Sequence, residues 1–154
     1  MNLAEAMRGR RSIRKYQAKP VPRELVEKLL EEAVWAPSGK NKQPWHLVVV
    51  TGETRDRLAT IIKQAGQHLK EDLQRLFPEK IVNLTLQYFE NMGGAPVVIL
   101  AYIPRMEVTI TPQMSDYERH VHESERMDAI QSVAALLENF ALLAHEAGLG
   151  TCWM

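Results

Sequence analysis

The segment RRSIRKY, residues 10–16, concentrates positive charge in a chain that has 19 basic and 19 acidic residues. Its cationic side chains are Arg10, Arg11, Arg14 and Lys15, and the hydroxyl of Ser12 lies among them. Guanidinium groups bind phosphate oxygens through paired hydrogen bonds, and a serine hydroxyl adds another donor. The segment therefore fits a phosphate group. The alternatives are a solvated charge patch or salt bridges to the glutamates of the following helix.

The loop APSGKNKQPW, residues 36–45, is a second candidate because backbone and amide hydrogen-bonding groups are dense in it. Its residues of interest are Pro37, Ser38, Gly39, Asn41 and Gln43. A loop of this kind can bind the edge of a heteroaromatic ring through hydrogen bonds. The alternative is a helix-to-strand connection whose residue types suit a turn.

A third candidate, GLGT, consists of Gly148, Leu149, Gly150 and Thr151. Two glycines allow a backbone to approach a planar ligand closely, because neither carries a Cβ. The alternative is a helix C-cap followed by a turn.

Other chemically active residue types give weaker indications. His120, His122 and Glu123 would share one side only in an extended segment, and no further ligand cluster accompanies them, so we expect no metal site. Cys152 has no surrounding Cys-His signature and is expected to be a small buried residue. Ser38 lacks the G-x-S-x-G context of a hydrolase, and the sequence has neither a Walker A motif nor a dinucleotide-binding fingerprint.

Helical and extended patterns alternate along the segments that must position these candidates. Apolar spacing predicts helices at 2–8, 22–36, 54–77, 79–91 and 124–147. The runs WHLVVVTG and GGAPVVILAYIP predict two buried strands, the second covered on both faces. The intervening residues 104–122 are predicted to be an irregular, exposed excursion, and TCWM is typical of the start of a third strand.

Composition excludes several classes of protein. At 154 residues the chain suits one domain, and its zero net charge disfavours general nucleic-acid binding. A single cysteine, Cys152, rules out an internal disulfide framework and suits a reducing compartment. The N-terminus lacks the apolar region of a signal peptide, and the apolar run PVVILAYIP is too short to cross a bilayer. We therefore expect a soluble, cytoplasmic protein.

The motifs RRSIRKY, APSGKNKQPWHLVVV and GLGTCWM occur in this order, the last one after a helix that contains Asp128 and Asn139. This combination resembles the nitroreductase family of flavin-dependent oxidoreductases over essentially the whole chain. The resemblance implies an α+β fold in which helices flank a central β-sheet, with one domain at 1–154. It also implies an intertwined homodimer with two FMN molecules at the subunit interface.

The resemblance places residues from all three segments at the FMN. They are Arg10, Arg11, Ser12 and Arg14, then Pro37, Ser38, Gly39 and Asn41, and finally Gly148, Leu149, Gly150 and Thr151. Arg10 looks like the phosphate ligand, with Ser12 beside it. Arg14 looks like the residue that reaches N1 and O2 of the ring, where a fixed cation favours the reduced, negatively charged flavin. The second set resembles a loop contributed by the other subunit, and the third a segment that passes close to the ring.

The resemblance implies that FMN takes hydride from NAD(P)H and passes it to a nitroaromatic, a quinone or a free flavin. No side chain is assigned as a general acid or base, because the flavin performs the chemistry. The alternatives are a non-catalytic flavin carrier or sensor, or a specialised flavin enzyme such as a reductive dehalogenase. Family members generally continue past GLGTCWM with a basic segment that is absent here. Without its two charge-assisted contacts, each worth roughly 1.5–3 kcal/mol, we expect weaker FMN binding.

Overall fold

The computed structural model describes residues 1–104 and 111–154. Within these residues, five α-helices and two strands follow one another in the order α1 (Leu3–Gly9), α2 (Arg23–Ala33), β1 (His46–Thr51), α3 (Gly52–Leu76), α4 (Glu79–Asn91), β2 (Val97–Tyr102) and α5 (Asp116–Glu146). Short 3-10 turns occupy Gly39–Asn41 and Met92–Gly94. The mixture of helices with a small sheet confirms the predicted α+β class.

The chain divides into two compact units. Unit 1 contains 1–10, 23–48 and 100–149, and unit 2 contains 11–22, 49–99 and 150–154. The expectation of a single domain stays a prediction.

Reciprocal side-chain caps begin the first and last helices. The Oδ1 of Asn2 accepts a hydrogen bond from the backbone N–H of Glu5 at 2.9 Å, and the Glu5 carboxylate accepts one from the N–H of Asn2 at 3.0 Å. Ser115 and Glu118 make the same capping box at α5. Because this box nucleates the helix at Asp116, the predicted irregular excursion is wrong for 116–122. Its part at 105–110 lies outside the described residues.

The core of unit 1 lies between α2 and α5. Ala33 and Leu136 are fully buried and Ala36 nearly so, and partly buried apolar side chains surround them. These are Val34, Trp45, Leu47, Ala135, Leu137, Phe140 and Leu143. The small side chains of Ala33, at the end of α2, and Ala36, just after it, pack with Leu136 of α5, which holds the loop after α2 beside α5.

In unit 2, helices α3 and α4 pack as a pair joined at Pro78. Gly66 lies in the middle of α3, and a Cβ there would come within 2.6 Å of the Phe89 ring on α4. The absence of a side chain at Gly66 therefore permits the close packing of the two helices. Val82 and Met92 are almost fully buried in this unit.

The two strands pair with each other. The pairing is antiparallel, since His46 at the start of β1 stacks on Tyr102 at the end of β2 with ring centroids 5.2 Å apart. Both strands are largely exposed or half-buried in this chain, so the prediction of buried strands is wrong here. A two-stranded sheet leaves much of each face without a covering layer. The described residues at 151–154 make one isolated bridge at Thr151 rather than the predicted third strand.

Helix α5 is, by length and composition alone, able to cross a membrane, with a mean hydropathy of 1.3 over its most apolar stretch. The core helix of a soluble protein passes the same test. Leu136 and Ala144 on this helix are fully buried, whereas Met127 and Ile130 are 58% and 50% exposed. The expectation that α5 is largely buried therefore holds for one part of its circumference only.

Candidate functional site

Two of the three predicted segments are neighbours in unit 2. Ser12 forms a parallel bridge with Thr151, and the backbone N–H of Ile13 donates to the Thr151 carbonyl at 2.8 Å. These residues are about 140 positions apart in the sequence. The side chains of Arg11, Ser12 and Arg14 are exposed. The fold thus places part of RRSIRKY beside part of GLGT.

Gly150 packs closely against Ile13 of the other segment. A Cβ built on it would lie 3.0 Å from three side-chain atoms of Ile13. A larger residue would have to displace the Ile13 side chain, so glycine favours this contact.

A third backbone segment of unit 2 supports RRSIRKY. The N–H of Tyr16 donates to the carbonyl of Gly93 at 3.0 Å. Gly93 has a φ of +65°, and a Cβ on it would lie only 2.1 Å from the carbonyl oxygen of Arg14. Both the left-handed backbone and this contact require glycine at this position.

Two phenols lie behind this contact. Burial, followed by the neighbouring Tyr16, raises the pKa of Tyr88 far above its usual range, and Cys152 contributes to the same shift. Burial also raises the pKa of Tyr16. Cys152 is half-buried, so its predicted burial is partly met. Tyr16 and Tyr88 are therefore both expected to be uncharged at neutral pH.

Arg10 belongs to unit 1, where its Nε lies 3.4 Å from a carboxylate oxygen of Glu138 on α5. The side chains are 30% and 47% exposed, so water screens the pair. A phosphate bound by Arg10 would compete with this carboxylate. Glu138 lies on α5, so this pair joins Arg10 to a different helix from α2, the helix that the salt-bridge alternative named.

The loop after α2 lies against α5 within unit 1. The N–H of Gly39 donates to Ser132 Oγ at 3.4 Å, and that hydroxyl donates to the Asp128 carbonyl at 2.6 Å. A Cβ on Gly39 would lie 3.4 Å from the Asp128 Cβ. Ser38 Oγ accepts from the N–H of Gln43 at 3.1 Å, which closes the loop on itself.

The backbone of this loop is unusual. Lys40, Asn41 and Gln43 all have positive φ, at 54°, 51° and 45°. Non-glycine residues adopt this region at a cost, and such strain often occurs where a backbone presents groups to a ligand. Pro37 and Asn41 are exposed and Ser38 is half-buried, so the loop presents polar groups at the surface.

A salt bridge fastens the end of the loop to α5. Lys42 Nζ lies 2.8 Å from Glu125 Oε1, and the hydrogen bond and charge of Lys42 lower the pKa of Glu125. The loop is therefore held to α5 at both Gly39 and Lys42.

The remaining predicted site residues, Gly148 and Leu149, follow the last residue of α5 and cap it. Gly148 has a φ of +77°, and the N–H of Leu149 donates to the Ala144 carbonyl at 2.8 Å. The C-cap interpretation of GLGT is thus confirmed for its first half, while Gly150 and Thr151 make the contact with RRSIRKY. His120 and His122 lie on α5, where residues two apart point in different directions.

Three residues that support the candidate site are not identified as site residues by the sequence. Gly93 supports the Arg14 segment, and the GG pair at 93–94 was its only sequence signal. Ser132 and Asp128 support the Gly39 loop, and Asp128 had been noted only as part of the motif order. Their contacts are long-range and have no local pattern.

Comparison with known proteins places these features in a family. A model described as "Nitroreductase family" matches residues 7–154. A Bacillus subtilis (strain 168) protein named "Putative NAD(P)H nitroreductase YfhC" is 30% identical over 98% of this chain and 68% of its own length. The chain thus spans about two thirds of that relative.

Two solved structures give the same result. A BluB-like flavoprotein from Clostridium difficile 630 is 28% identical with a TM-score of 0.72, over 100% of this chain and 74% of its own. An FMN-dependent nitroreductase from Clostridium difficile R20291 is 28% identical with a TM-score of 0.61, over 93% of this chain and 55% of its own. The contacts between the predicted segments thus occur in a fold shared with these proteins, and the chain belongs to the nitroreductase family.

Proposed function

We propose that this chain binds FMN and acts as an oxidoreductase that passes hydride from NAD(P)H to a small-molecule acceptor. Membership of the nitroreductase family supports the reaction class. The name of the Bacillus subtilis relative supports the nicotinamide donor, and that of the Clostridium difficile R20291 enzyme supports FMN.

The observation that carries the proposal is the contact between RRSIRKY and GLGT. Each segment was suggested as part of a ligand site on independent chemical grounds, one for phosphate and one for a planar ring. The hydrogen bond from the Ile13 N–H to the Thr151 carbonyl, at 2.8 Å, brings part of each segment together and supports a common site for a phosphate and a planar ring. A flavin mononucleotide contains a phosphate and a planar ring in one molecule.

The residues present fit FMN chemically. Arg11, Ser12 and Arg14 expose cationic and hydroxyl donors suited to a phosphate or an anionic ring edge. Gly150 leaves its backbone bare beside Ile13. Within unit 1, the Gly39 N–H donates to Ser132 of α5, which holds the loop after α2 in place.

FMN, when bound, supplies a ring that accepts hydride from the nicotinamide and donates it to the acceptor. The chain's own residues hold and tune this ring. Arg10 would bind the phosphate, and Ser12 would donate to it. Arg14 would offset the negative charge that the ring gains on reduction, which favours the reduced form. We assign no side chain as a general acid or base.

A second copy of the chain completes the proposal. The family resemblance assigns the Pro37–Asn41 loop to the partner's flavin site. Several apolar side chains of α5 are exposed in the single chain, and burying them against a partner would be favourable. They include Tyr117, Met127 and Ile130. We propose a homodimer, with nitroaromatics, quinones or free flavins as acceptors and the cytoplasm as location.

An FMN titration followed by quenching of flavin fluorescence tests the proposal. Saturable binding by the wild type is expected, and it should be weakened in Gly150→Val, whose side chain would push Ile13 and Thr151 apart. The matched control is Gly52→Val, because a Cβ on Gly52 meets nothing within 4 Å and the positive φ there tests strain alone. Wild-type protein that shows no saturable FMN binding would refute the proposed function.

A further inference from the structure

Arg55 is a buried cation that the proposed function does not use. It lies near the start of α3 and is 7% exposed, which is unusual for an arginine. A buried guanidinium is stable only where its donors are satisfied, so its partners show what it holds in place.

These partners are the neighbouring Asp56, whose Oδ1 accepts from Nη1 at 3.0 Å, and the end of α4 with the turn that follows. Arg55 Nε donates to the Ala95 carbonyl at 2.8 Å, and Nη2 donates to the Asn91 carbonyl at 2.6 Å. Nη1 donates to the side-chain oxygen of Asn91 at 2.5 Å. The planar guanidinium thus bonds both sides of the turn at Met92–Gly94, which a lysine amine cannot reproduce.

The turn held by Arg55 contacts the predicted flavin segment directly. The Gly93 carbonyl accepts the N–H of Tyr16 at 3.0 Å, and the Gly93 Cα packs against the Arg14 carbonyl so closely that a Cβ would clash. On its other side Tyr88 contacts the same glycine, with Cε2 3.2 Å from the position of a Cβ. All the residues in this series of contacts belong to unit 2.

We propose that Arg55 is a positioning residue for Arg14. By fixing the turn at Gly93 through Ala95 and Asn91, it fixes the backbone of residues 14–16, and so sets where the Arg14 guanidinium lies. This inference rests on the proposed function for its effect on the flavin, but its effect on the backbone is independent of any ligand.

Amide hydrogen exchange of the ligand-free protein, measured by NMR, tests the backbone effect. Arg55→Lys keeps the positive charge and removes the planar guanidinium with its several donors. The Tyr16 amide should then exchange about tenfold faster, which corresponds to a loss of about 1.4 kcal/mol in the free energy of opening. The control is Arg57→Lys, an exposed arginine on the same helix, which should change nothing. The amide of buried Ala59 reports general destabilisation and should be affected less than Tyr16. Equal acceleration at both amides, or none at Tyr16, would overturn the proposal.

The reduction potential of the bound flavin tests the effect on Arg14. Arg55→Lys should lower the potential, as is expected for Arg14→Ala, and should have no additional effect in the Arg14→Ala background. Additive shifts would show that Arg55 acts by another route and would overturn the positioning role. If the wild type binds no FMN, the proposed function fails, and the Tyr16 amide still decides whether Arg55 orders the segment.

A milder variant serves if Arg55→Lys does not fold. Asn91→Ala removes one acceptor of the guanidinium and leaves the two carbonyl acceptors in place. The Tyr16 amide should then exchange faster than in Arg57→Lys, by a smaller factor. An unchanged rate would contradict the proposal.

Discussion

Replacement of Arg10 by alanine tests the phosphate assignment and can be given a magnitude from its surroundings. A charge-assisted hydrogen bond to phosphate contributes roughly 1.5–3 kcal/mol. In the ligand-free chain Arg10 lies 3.4 Å from Glu138, and releasing a screened pair of this kind costs about 0.2–1 kcal/mol. The net loss on Arg10→Ala is therefore about 0.5–2.8 kcal/mol, or roughly 2- to 110-fold in the dissociation constant of FMN.

Titration with FMN and with riboflavin separates the phosphate from the ring. Riboflavin lacks the phosphate, so Arg10→Ala should weaken its binding much less. The reciprocal variant Glu138→Gln removes the competing carboxylate and should tighten FMN binding by up to about fivefold, with little effect on riboflavin. Equal losses for the two ligands in Arg10→Ala would refute the phosphate role of this residue.

Three further predictions follow from the site and the exposed surfaces. Arg14→Ala should lower the two-electron potential of the flavin more than it weakens binding of oxidised FMN, because the charge that Arg14 offsets appears on reduction; an unchanged potential in a spectroelectrochemical titration would contradict this. Ile130→Glu, at an exposed position of α5, should shift the protein from dimer toward monomer in light scattering during size-exclusion chromatography. The control Gln131→Glu, at the neighbouring exposed position, should not. A flavin-loaded wild-type monomer at micromolar concentration would contradict the dimer. The pKa of Tyr88 is raised in the folded state, so its contribution to stability is complete below the unfolded tyrosine pKa of about 10 and is lost above it. Between about pH 9 and pH 11 the free energy of unfolding should therefore fall less in Tyr88→Phe than in the wild type. Equal declines in denaturant titrations would exclude this role.

Local patterns were sufficient for several elements of the fold. The predicted helix at 79–91 matches α4 at both ends, since Pro78 precedes its first turn and the GG pair at 93–94 follows its end. The start of α5 was missed although its signal, Ser115 followed three residues later by Glu118, is present in the sequence. The error came from giving the polar composition of the segment more weight than its cap.

Burial of the strands could not be predicted from residue types. The apolar runs around Val48 and Leu100 indicated strands correctly, but how much of each face is covered depends on which elements pack there. In this chain Val48 is 41% exposed and Leu100 is 39% exposed. A run of apolar residues therefore predicts the strand without identifying the surface that covers it.

The candidate site shows the same division between local and long-range information. The three segments were identified by their residue types and order, and Gly148 met its expected role as a helix C-cap. The contact of Gly93 with Arg14 was not predictable, because a GG pair indicates a turn without naming its partner. Arg55 resembles any solvent-exposed arginine of an amphipathic helix until the fold brings Asn91 and Ala95 to it.

The central claim, that this chain belongs to an FMN-dependent oxidoreductase, is tested most directly by anaerobic stopped-flow mixing of the FMN-loaded protein with NADH or NADPH. We expect the visible absorbance of the oxidised flavin to be bleached rapidly, at a rate that rises with nicotinamide concentration, and to return when a quinone or nitroaromatic is added. Bound flavin that stays oxidised with both nicotinamides would contradict the account and would favour a non-catalytic flavin carrier.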